Sequence, residues 1–213
     1  MKIICLNVGL PRLVMRGGTT VSTAIFKEPV EGRVMLRNLN LEGDRQSDLS
    51  VHGGPTKAVY AYPSEHYPFW RQEFPGMDLP WGMFGENFTT EGMAETEINI
   101  GDKFRLGDAL VMVTEPRMPC YKLGLRFGRS DVIRKFLNSE RTGFYFAVLK
   151  EGEVGAEDEL QLVDKHPGGL RVSDVTRLFA HDKQNQALLE RALAVDALPE
   201  SWKNHFRRFT IGA

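Results

Sequence analysis

Short runs in which hydrophobic and polar residues alternate fill most of the first 165 residues, and Gly, Asn, Asp and Pro separate these runs. A period of two predicts β-strands. The predicted strands lie at residues 3–8, 58–62, 103–106, 109–114, 144–149 and 159–163. Gly107 and Asp108, between two of them, suit a tight hairpin turn because glycine adopts positive φ angles at little cost. Short strands without regular strand–helix alternation favour a barrel or folded sheet over a parallel α/β arrangement.

Two helices are predicted to interrupt this β-rich part. One begins near Ser64, which can cap it, and places Tyr67 and Trp70 on one apolar face. The other spans residues 131–138, with Ser130 as its cap. The apolar faces of both helices are expected to pack into the core.

The pattern changes after the Pro-Gly-Gly sequence at residues 167–169, where helix-forming residues with a 3.6-residue apolar period begin. Three short helices are predicted there, and Pro199 is placed to open the last of them. We therefore predict a mainly β domain over residues 1–165 and a three-helix module over residues 166–213.

Composition and missing motifs argue against several classes of function. Lys plus Arg number 27 and Asp plus Glu number 28, so a net charge of −1 gives no field that would draw nucleic acid or anionic lipid. No window approaches the ~20 apolar residues of a membrane span, and no secretory cleavage pattern follows the start, so we expect a cytoplasmic protein that binds no membrane. P-loop, Gly-x-Gly-x-x-Gly, His-Glu-x-x-His and Cys-x-x-Cys patterns are missing from the sequence.

Cys120 is the strongest candidate for chemistry. It follows a predicted strand in a loop stiffened by Pro116 and Pro119, so its thiol can be aimed. Six basic residues and one acid lie between positions 117 and 135, a balance that favours the thiolate. The alternative is a buried structural cysteine, which is how we interpret Cys5 in its apolar strand.

Two loops and one lysine add polar candidates. In the loop at residues 43–57, Gly53 and Gly54 let backbone N–H groups approach an anion and Lys57 adds charge, although such turns often have no further role. His52 is a candidate proton donor or a hydrogen-bonded structural residue.

In the loop at residues 81–88, Asn87, beside Glu86, can offer a donor and an acceptor to a heterocycle, or can simply stabilise a turn. Lys27 follows an apolar pair and either points into a cavity or is solvated.

Five elements, in this order along the chain, resemble the MOSC family, named after the C-terminal domain of molybdenum cofactor sulfurases. They are Lys27, the Gly-Asp to His-Gly-Gly stretch from Gly43 to Val59, Gly85-Glu86-Asn87, Ile100-Gly101-Asp102 and Glu115-Pro116-Arg117-x-Pro119-Cys120. The helical tail is similar to the module that follows this domain in YiiM-like bacterial proteins. Arg45 and Met118 depart from the pattern, which has smaller or more polar residues there.

The resemblance implies a β-barrel-like domain that binds the molybdenum cofactor, a pterin dithiolene with a phosphate. It implies Cys120 as the metal ligand and reduction of N-hydroxylated substrates such as hydroxylaminopurines and hydroxylamines. Lys27 and His52 would donate protons. The implied cofactor-binding residues are Arg117, Asn87, Lys57, Gly53, Gly54 and Glu86.

The sequence contains no flavin or iron–sulfur motif, so a separate flavin-containing reductase is expected to supply electrons to a monomer or homodimer. Two other functions use the same residues. One is a sulfur carrier with a persulfide on Cys120. The other is a non-catalytic module whose three-helix tail docks a partner protein.

Overall fold

The computed structural model describes residues 1–47 and 53–210. His52, a predicted proton donor, lies outside the described residues. The strands are β1 (Lys2–Val8), β2 (Arg12–Arg16), β3 (Thr19–Thr23), β4 (Glu28–Pro29), β5 (Arg33–Leu36), β6 (Val59–Pro63), β7 (Phe88–Glu91), β8 (Lys103–Leu106), β9 (Ala109–Pro116), β10 (Phe144–Lys150), β11 (Gly152–Gly155) and β12 (Leu160–Asp164). The α-helices are α1 (Tyr67–Glu73), α2 (Tyr121–Phe127), α3 (Asp131–Asn138), α4 (Val172–Ala180), α5 (Gln186–Ala194) and α6 (Glu200–Arg207).

Eight strands form one curved sheet in the order β12-β8-β9-β10-β6-β7-β1-β4. All neighbouring pairs are antiparallel except β6 and β7, which run parallel. The sheet curls until the chain just before β12 meets β1, where Lys2 and Glu159 form an isolated bridge and Ile3 N donates to Asp158 O at 3.0 Å. The predicted mainly β, barrel-like fold is confirmed, but a bridge rather than a full strand ladder joins the two ends.

The sheet buries one face because its strands alternate. In β9, Ala109, Val111 and Val113 point into the core. The core continues into α4, α5 and α6, where Val175, Leu189 and many neighbours are fully buried. The three predicted C-terminal helices are therefore present and pack directly against the sheet.

A second, aromatic cluster lies under α1, α2 and α3. Its largest members stack in sequence, with Trp70 parallel to both Phe74 and Phe136 at ring distances of 5.8 and 6.0 Å. This cluster holds α2 and α3 against the sheet beside the end of β9. No helix in the described ranges is long and apolar enough to cross a lipid bilayer.

Most predicted elements are found close to their expected positions, and the helix at Asp131–Asn138 is found as predicted. Two capping predictions were wrong: Ser64 opens a short 3₁₀ turn instead of capping α1, and Ser130 makes no side-chain cap bond. The sequence did not predict α2 or the β2–β3 hairpin. Both elements contribute residues to the wall of the candidate site.

Candidate functional site

A cavity of about 550 Å³, the cationic cavity, lies beside the end of β9. Its wall contains the thiol-bearing Cys120 and three buried basic residues, Lys27, Arg117 and Lys122. The exit of the β2–β3 hairpin closes another side through Thr23 and the two residues that follow it. A smaller chamber of about 350 Å³ borders the same walls at Lys27. A thiol beside several desolvated cations is suited to holding an anionic ligand.

Cys120 lies between a rigid loop and a helix. β9 ends at Pro116, and α2 begins at the residue after Cys120. The Cys120 carbonyl accepts a hydrogen bond from Leu123 N at 3.0 Å, which joins the loop to the first turn of α2. The residue is partly exposed and is not in a disulfide, so its side chain is accessible to a ligand. Cys5 differs, because burial, with a contribution from Glu86, raises the pKa of its thiol.

Arg117 is a buried cation with an unused donor. Its guanidinium lies 5.2 Å from the ring centres of both Tyr60 and Phe136, so aromatic faces replace most of its water. Its Nη1 is buried and has no hydrogen-bond partner among the described residues. Burial raises the pKa of the neighbouring Tyr145 to about 12, although Arg117 opposes that shift. A buried guanidinium nitrogen without a hydrogen-bond partner is costly unless a ligand supplies an acceptor.

Lys27 forms a buried ion pair. Its ammonium contacts Asp44, and the side chains of the two residues are only 7% and 1% exposed. Asp44 also accepts hydrogen bonds from Gly9 N at 2.7 Å and from Asn87 Nδ2 at 2.9 Å. Burial lowers the pKa of Lys27 and the attraction of Asp44 opposes this shift. Lys27 therefore presents a fixed, partly neutralised ammonium to the cavity.

Asn87 and Glu86 are satisfied within the protein. Asn87 donates to Asn7 O at 3.2 Å and to Asp44, and its Oδ1 accepts from Tyr60 N at 3.1 Å. Asn87 borders the smaller chamber. Glu86 is fully buried, and its carboxylate accepts from Tyr67 and from backbone N–H groups of the loop before it. Burial raises the pKa of Glu86, while these hydrogen bonds oppose the shift.

The two glycines lead into a 3₁₀ turn that ends at Lys57. Gly53 and Gly54 have φ angles of 143° and 91°, which L-residues rarely adopt. Gly53 and Lys57 border the smaller chamber with Lys27. The Lys57 ammonium lies 3.4 Å from Glu115 Oε2, so part of its charge is neutralised.

Only two of the six basic residues near Cys120, Arg117 and Lys122, line the cationic cavity. Arg129, for example, pairs with Asp131 on the surface at 2.6 Å. Lys122 Nζ donates to Ser47 Oγ at 2.8 Å and is almost fully buried.

Sequence reasoning did not single out Lys122, Tyr60 or Tyr145 as site residues. Lys122 follows the cysteine by two positions, which is a signal that could have found it. The two tyrosines meet only through the pairing of β6 with β10. Arg45 and Met118, which depart from the family pattern, also line the cavity.

No group of three or more His, Cys, Asp or Glu side chains converges as a metal site within the described part of the chain. A metal bound through Cys120 would need its remaining ligands from a cofactor.

The MOSC domain family matches residues 48–161, and the YiiM-like three-helix domain matches residues 172–208. The chain is 43% identical over 207 residues to protein YflK of Bacillus subtilis, covering 97% of this chain and 93% of that one. It is 36% identical over 165 residues to a protein of Gibberella moniliformis called a reductase, covering 76% of this chain and 29% of that longer protein.

Among solved structures, the crystal structure of YiiM from Geobacillus stearothermophilus superposes with a TM-score of 0.83. The two sequences are 31% identical, and the superposition covers 99% of each chain. The likeness therefore includes both the sheet and the helical module.

Proposed function

The chain belongs to the MOSC domain family, with a YiiM-like three-helix domain, and from that premise we propose that it is a molybdenum-cofactor-dependent reductase of N-hydroxylated compounds. Cys120 is the proposed protein ligand of the metal. The reductase name of the Gibberella moniliformis relative, of which the match covers 29%, supports an oxidoreductase. The overall reaction is R–NHOH plus two electrons and two protons giving R–NH₂ and water. A separate flavin-containing reductase is the proposed electron source.

The observation that carries this proposal is the cationic cavity, where Cys120 adjoins a buried guanidinium with an unused donor. A pterin with a phosphate is planar and anionic, so it fits a wall of aromatic rings and buried cations. A thiolate is a soft ligand that suits molybdenum. The bound cofactor would supply a two-electron redox centre. The residues present therefore fit the group.

The predicted cofactor-binding residues have direct or indirect roles in this proposal. Arg117 binds the phosphate or pterin through Nη1. Lys57 and Gly53 border the smaller chamber that extends the site, and Gly54 lies next to Gly53 at the start of the turn that ends at Lys57. Asn87 contributes to the site indirectly. Its amide donates a hydrogen bond to Asp44, and Asp44 pairs with Lys27. Glu86 acts in the same indirect way by fixing the loop before it.

Proton supply is proposed for Lys27 and for His52, which lies outside the described residues. Lys27 faces the cavity and its lowered pKa brings proton release closer to neutral pH. Asp44 keeps the ammonium oriented while the proton leaves.

Elemental and pterin analysis tests the proposal. Protein expressed in a molybdenum-replete host is expected to hold about one molybdenum per chain and to reduce 6-N-hydroxylaminopurine with a flavin-containing electron donor. Protein from a host that lacks cofactor synthesis is the control and is expected to be inactive. Metal-free protein from the competent host, with a labile sulfane sulfur on Cys120, would overturn the reductase in favour of a sulfur carrier.

Arg117→Met provides a second test, because function and stability are expected to change in opposite directions. Replacing Arg117, whose buried Nη1 has no hydrogen-bond partner among the described residues, with an apolar side chain is expected to stabilise cofactor-free protein by about 1 kcal/mol. The same change removes a phosphate donor, so pterin retention falls. Denaturant unfolding and pterin fluorescence measure the two effects. Arg141→Met is the matched control, since Arg141 stacks on Phe69 but already bonds Ser139 O. Equal pterin retention in both variants would contradict the role of Arg117.

A further inference from the structure

The β2–β3 hairpin is a separate two-stranded sheet with an apolar outer face. Thr20 Oγ1 donates to Met15 Sδ at 3.4 Å across this face. Leu13 and Met15 are 74% and 65% exposed, and Leu10, just before the hairpin, is 62% exposed. Large apolar side chains that are grouped and exposed in this way are typical of a surface that contacts another molecule.

The inner face of the hairpin carries arginines that stack on aromatic rings. Arg12 Cζ lies 3.5 Å from the centre of the Phe26 ring, and Arg126 Cζ, from α2, lies 5.1 Å from the same ring. Arg16 Cζ lies 4.1 Å from the centre of the Tyr121 ring. These contacts hold the hairpin against α2, while Arg12 and Arg16 as whole residues stay exposed to solvent.

These three arginines lack a counter-ion. Within the described ranges none of them forms a salt bridge, and Arg126 Nε is buried without a hydrogen-bond partner. Burial and the charge of Arg12 lower the pKa of Arg126, and the attraction of Glu86 and Glu28 opposes this shift. Residues 9–27 contain two arginines, one lysine and no acidic residue. The positive charge here is therefore available to an acidic partner.

The apolar face and the arginines form one surface, because the two kinds of side chain alternate along β2. We name it the hairpin surface, and it consists of Leu13, Met15, Thr20, Ser22, Arg12, Arg16 and Arg126.

The hairpin surface adjoins the proposed metal site. Arg12 is the register partner of Thr23, which lines the cationic cavity, so its backbone lies about 5 Å, one strand spacing, from the cavity wall. Tyr121, the ring beneath Arg16, directly follows Cys120. A protein seated on the hairpin would therefore lie close to a cofactor ligated by Cys120.

Charge decides which occupant fits. A second copy of this chain would bring two sets of unpaired arginines together, and like charges facing each other across an interface oppose association. An acidic protein supplies the missing counter-charges, and its own apolar side chains can cover Leu13 and Met15. Electron-transfer encounters bury less area than stable complexes do, so a surface of this size suits them.

We propose that the hairpin surface is the docking site of the electron donor, and that this donor is an acidic flavoprotein. The inference rests on the proposed function, because the donor supplies the electrons that the reduction consumes. Reduced flavin provides two electrons and two protons, so FMNH₂ plus R–NHOH gives FMN, R–NH₂ and water.

Binding of flavodoxin, a small acidic protein that carries FMN, tests the surface with cofactor-free protein. Isothermal titration at about 0.1 M salt is expected to show about tenfold weaker binding when Arg12→Glu and Arg16→Glu are combined, since two ion pairs are lost and repulsion replaces them. The difference should shrink at about 1 M salt, where exposed charges are screened.

Arg105→Glu combined with Arg191→Glu is the matched control. These exposed arginines lie in β8 and α5, outside the hairpin surface and the cationic cavity, and their replacement changes the net charge by the same amount. Flavodoxin affinity is expected to stay close to that of the unchanged protein, because charges more than about 10 Å away are largely screened at 0.1 M salt.

Leu13→Ser combined with Met15→Ser guards against a folding defect in the arginine variant. Both side chains point outward and are exposed, so the stacking that holds the hairpin stays intact. Flavodoxin binding is expected to weaken by about tenfold at both salt concentrations, because apolar contacts are lost and charges are kept.

Kinetics of molybdenum-loaded protein separate docking from catalysis. The KM for reduced flavodoxin is expected to rise by about tenfold in both hairpin variants, while rates with reduced methyl viologen, a small donor that needs no docking surface, stay unchanged. Viologen-driven reduction without any flavodoxin binding, or with equal flavodoxin affinity in all variants, would overturn the docking surface and leave the proposed function standing.

Two further outcomes separate the remaining possibilities. Flavodoxin binding that falls in both hairpin variants of a protein that never retains molybdenum supports the docking surface and removes only the proposed function. A dimer in analytical ultracentrifugation that Leu13→Ser with Met15→Ser dissociates would overturn the acidic partner and assign the surface to a second copy.

Discussion

Cys120→Ser is expected to lose bound molybdenum and essentially all reduction of N-hydroxylated substrates. Loss of an outer-shell partner of a metal typically costs about 10–100-fold, so loss of the proposed direct ligand should cost more. Serine keeps the size and hydrogen-bonding capacity of the side chain but replaces a soft thiolate with a hard, protonated hydroxyl. Elemental analysis and initial rates measure the effect.

Cys5→Ser is the matched control for this prediction. Cys5 lies in β1, where its thiol contacts Asn7 Oδ1 at 3.4 Å, and it does not line the cationic cavity. Molybdenum content and rate are expected to match those of the unchanged protein. If Cys120→Ser retained full molybdenum and activity, the proposed ligation would be wrong, whatever the behaviour of Cys5.

The sequence predicted the sheet well because its information is local. In β10, buried Phe144 and Phe146 alternate with partly exposed Tyr145, which is the period of a half-buried strand. The sequence could not give the pairing of β10 with β6, and that pairing brings Tyr145 onto Tyr60 at a ring distance of 5.3 Å. Site walls that depend on non-local pairing therefore remained unpredicted.

Helix α2 was missed for a related reason. Its short sequence alternates polar and apolar residues and includes Gly124, which lowers helix propensity. The structure shows why glycine is suitable there: a Cβ at Gly124 would lie 3.2 Å from Arg129 O. Tertiary packing against the aromatic cluster, rather than propensity, stabilises this helix.

The polar candidates show that the sequence can mark a site residue without revealing its partner. The sequence marked Lys27 and Asn87 as candidates for the site, and both border its chambers. It could not reveal that Asp44 binds both of them, because their partners are brought together only by the fold.

The Lys27–Asp44 pair predicts the largest effect on stability. Lys27→Met is expected to lower the free energy of unfolding by about 3–5 kcal/mol, because it leaves the buried Asp44 carboxylate without its counter-ion. Asp44→Asn alone should also destabilise, since it leaves a buried ammonium. In the double variant both charges are gone, so the decrease in its free energy of unfolding is expected to be smaller than the sum of the decreases in the two single variants. Denaturant unfolding of the cofactor-free proteins measures the free energy of unfolding of the two single variants and the double variant.

Lys122→Met is the matched control for the pair. Lys122 is as buried as Lys27, but its described partner is the neutral hydroxyl of Ser47. Replacing Lys122 leaves no carboxylate there without its counter-ion. Lys122→Met is therefore expected to lower the free energy of unfolding much less than Lys27→Met does. If Lys27→Met lowered the free energy of unfolding no more than Lys122→Met does, the Lys27–Asp44 pair would contribute no stabilisation of its own.

The pair also predicts a pH dependence whose sign follows from the lowered pKa of Lys27. Between that lowered value and the ordinary lysine value of 10.5, the unfolded chain binds more protons at this residue than the folded protein does. Stability therefore rises with pH across this window, by linkage. Lys27→Met removes this contribution, so the stability difference between the two proteins should widen as pH approaches 10.5. A difference that narrows over this range would mean that Asp44 more than offsets the desolvation of Lys27, and that the folded protein holds this proton more tightly than the unfolded chain.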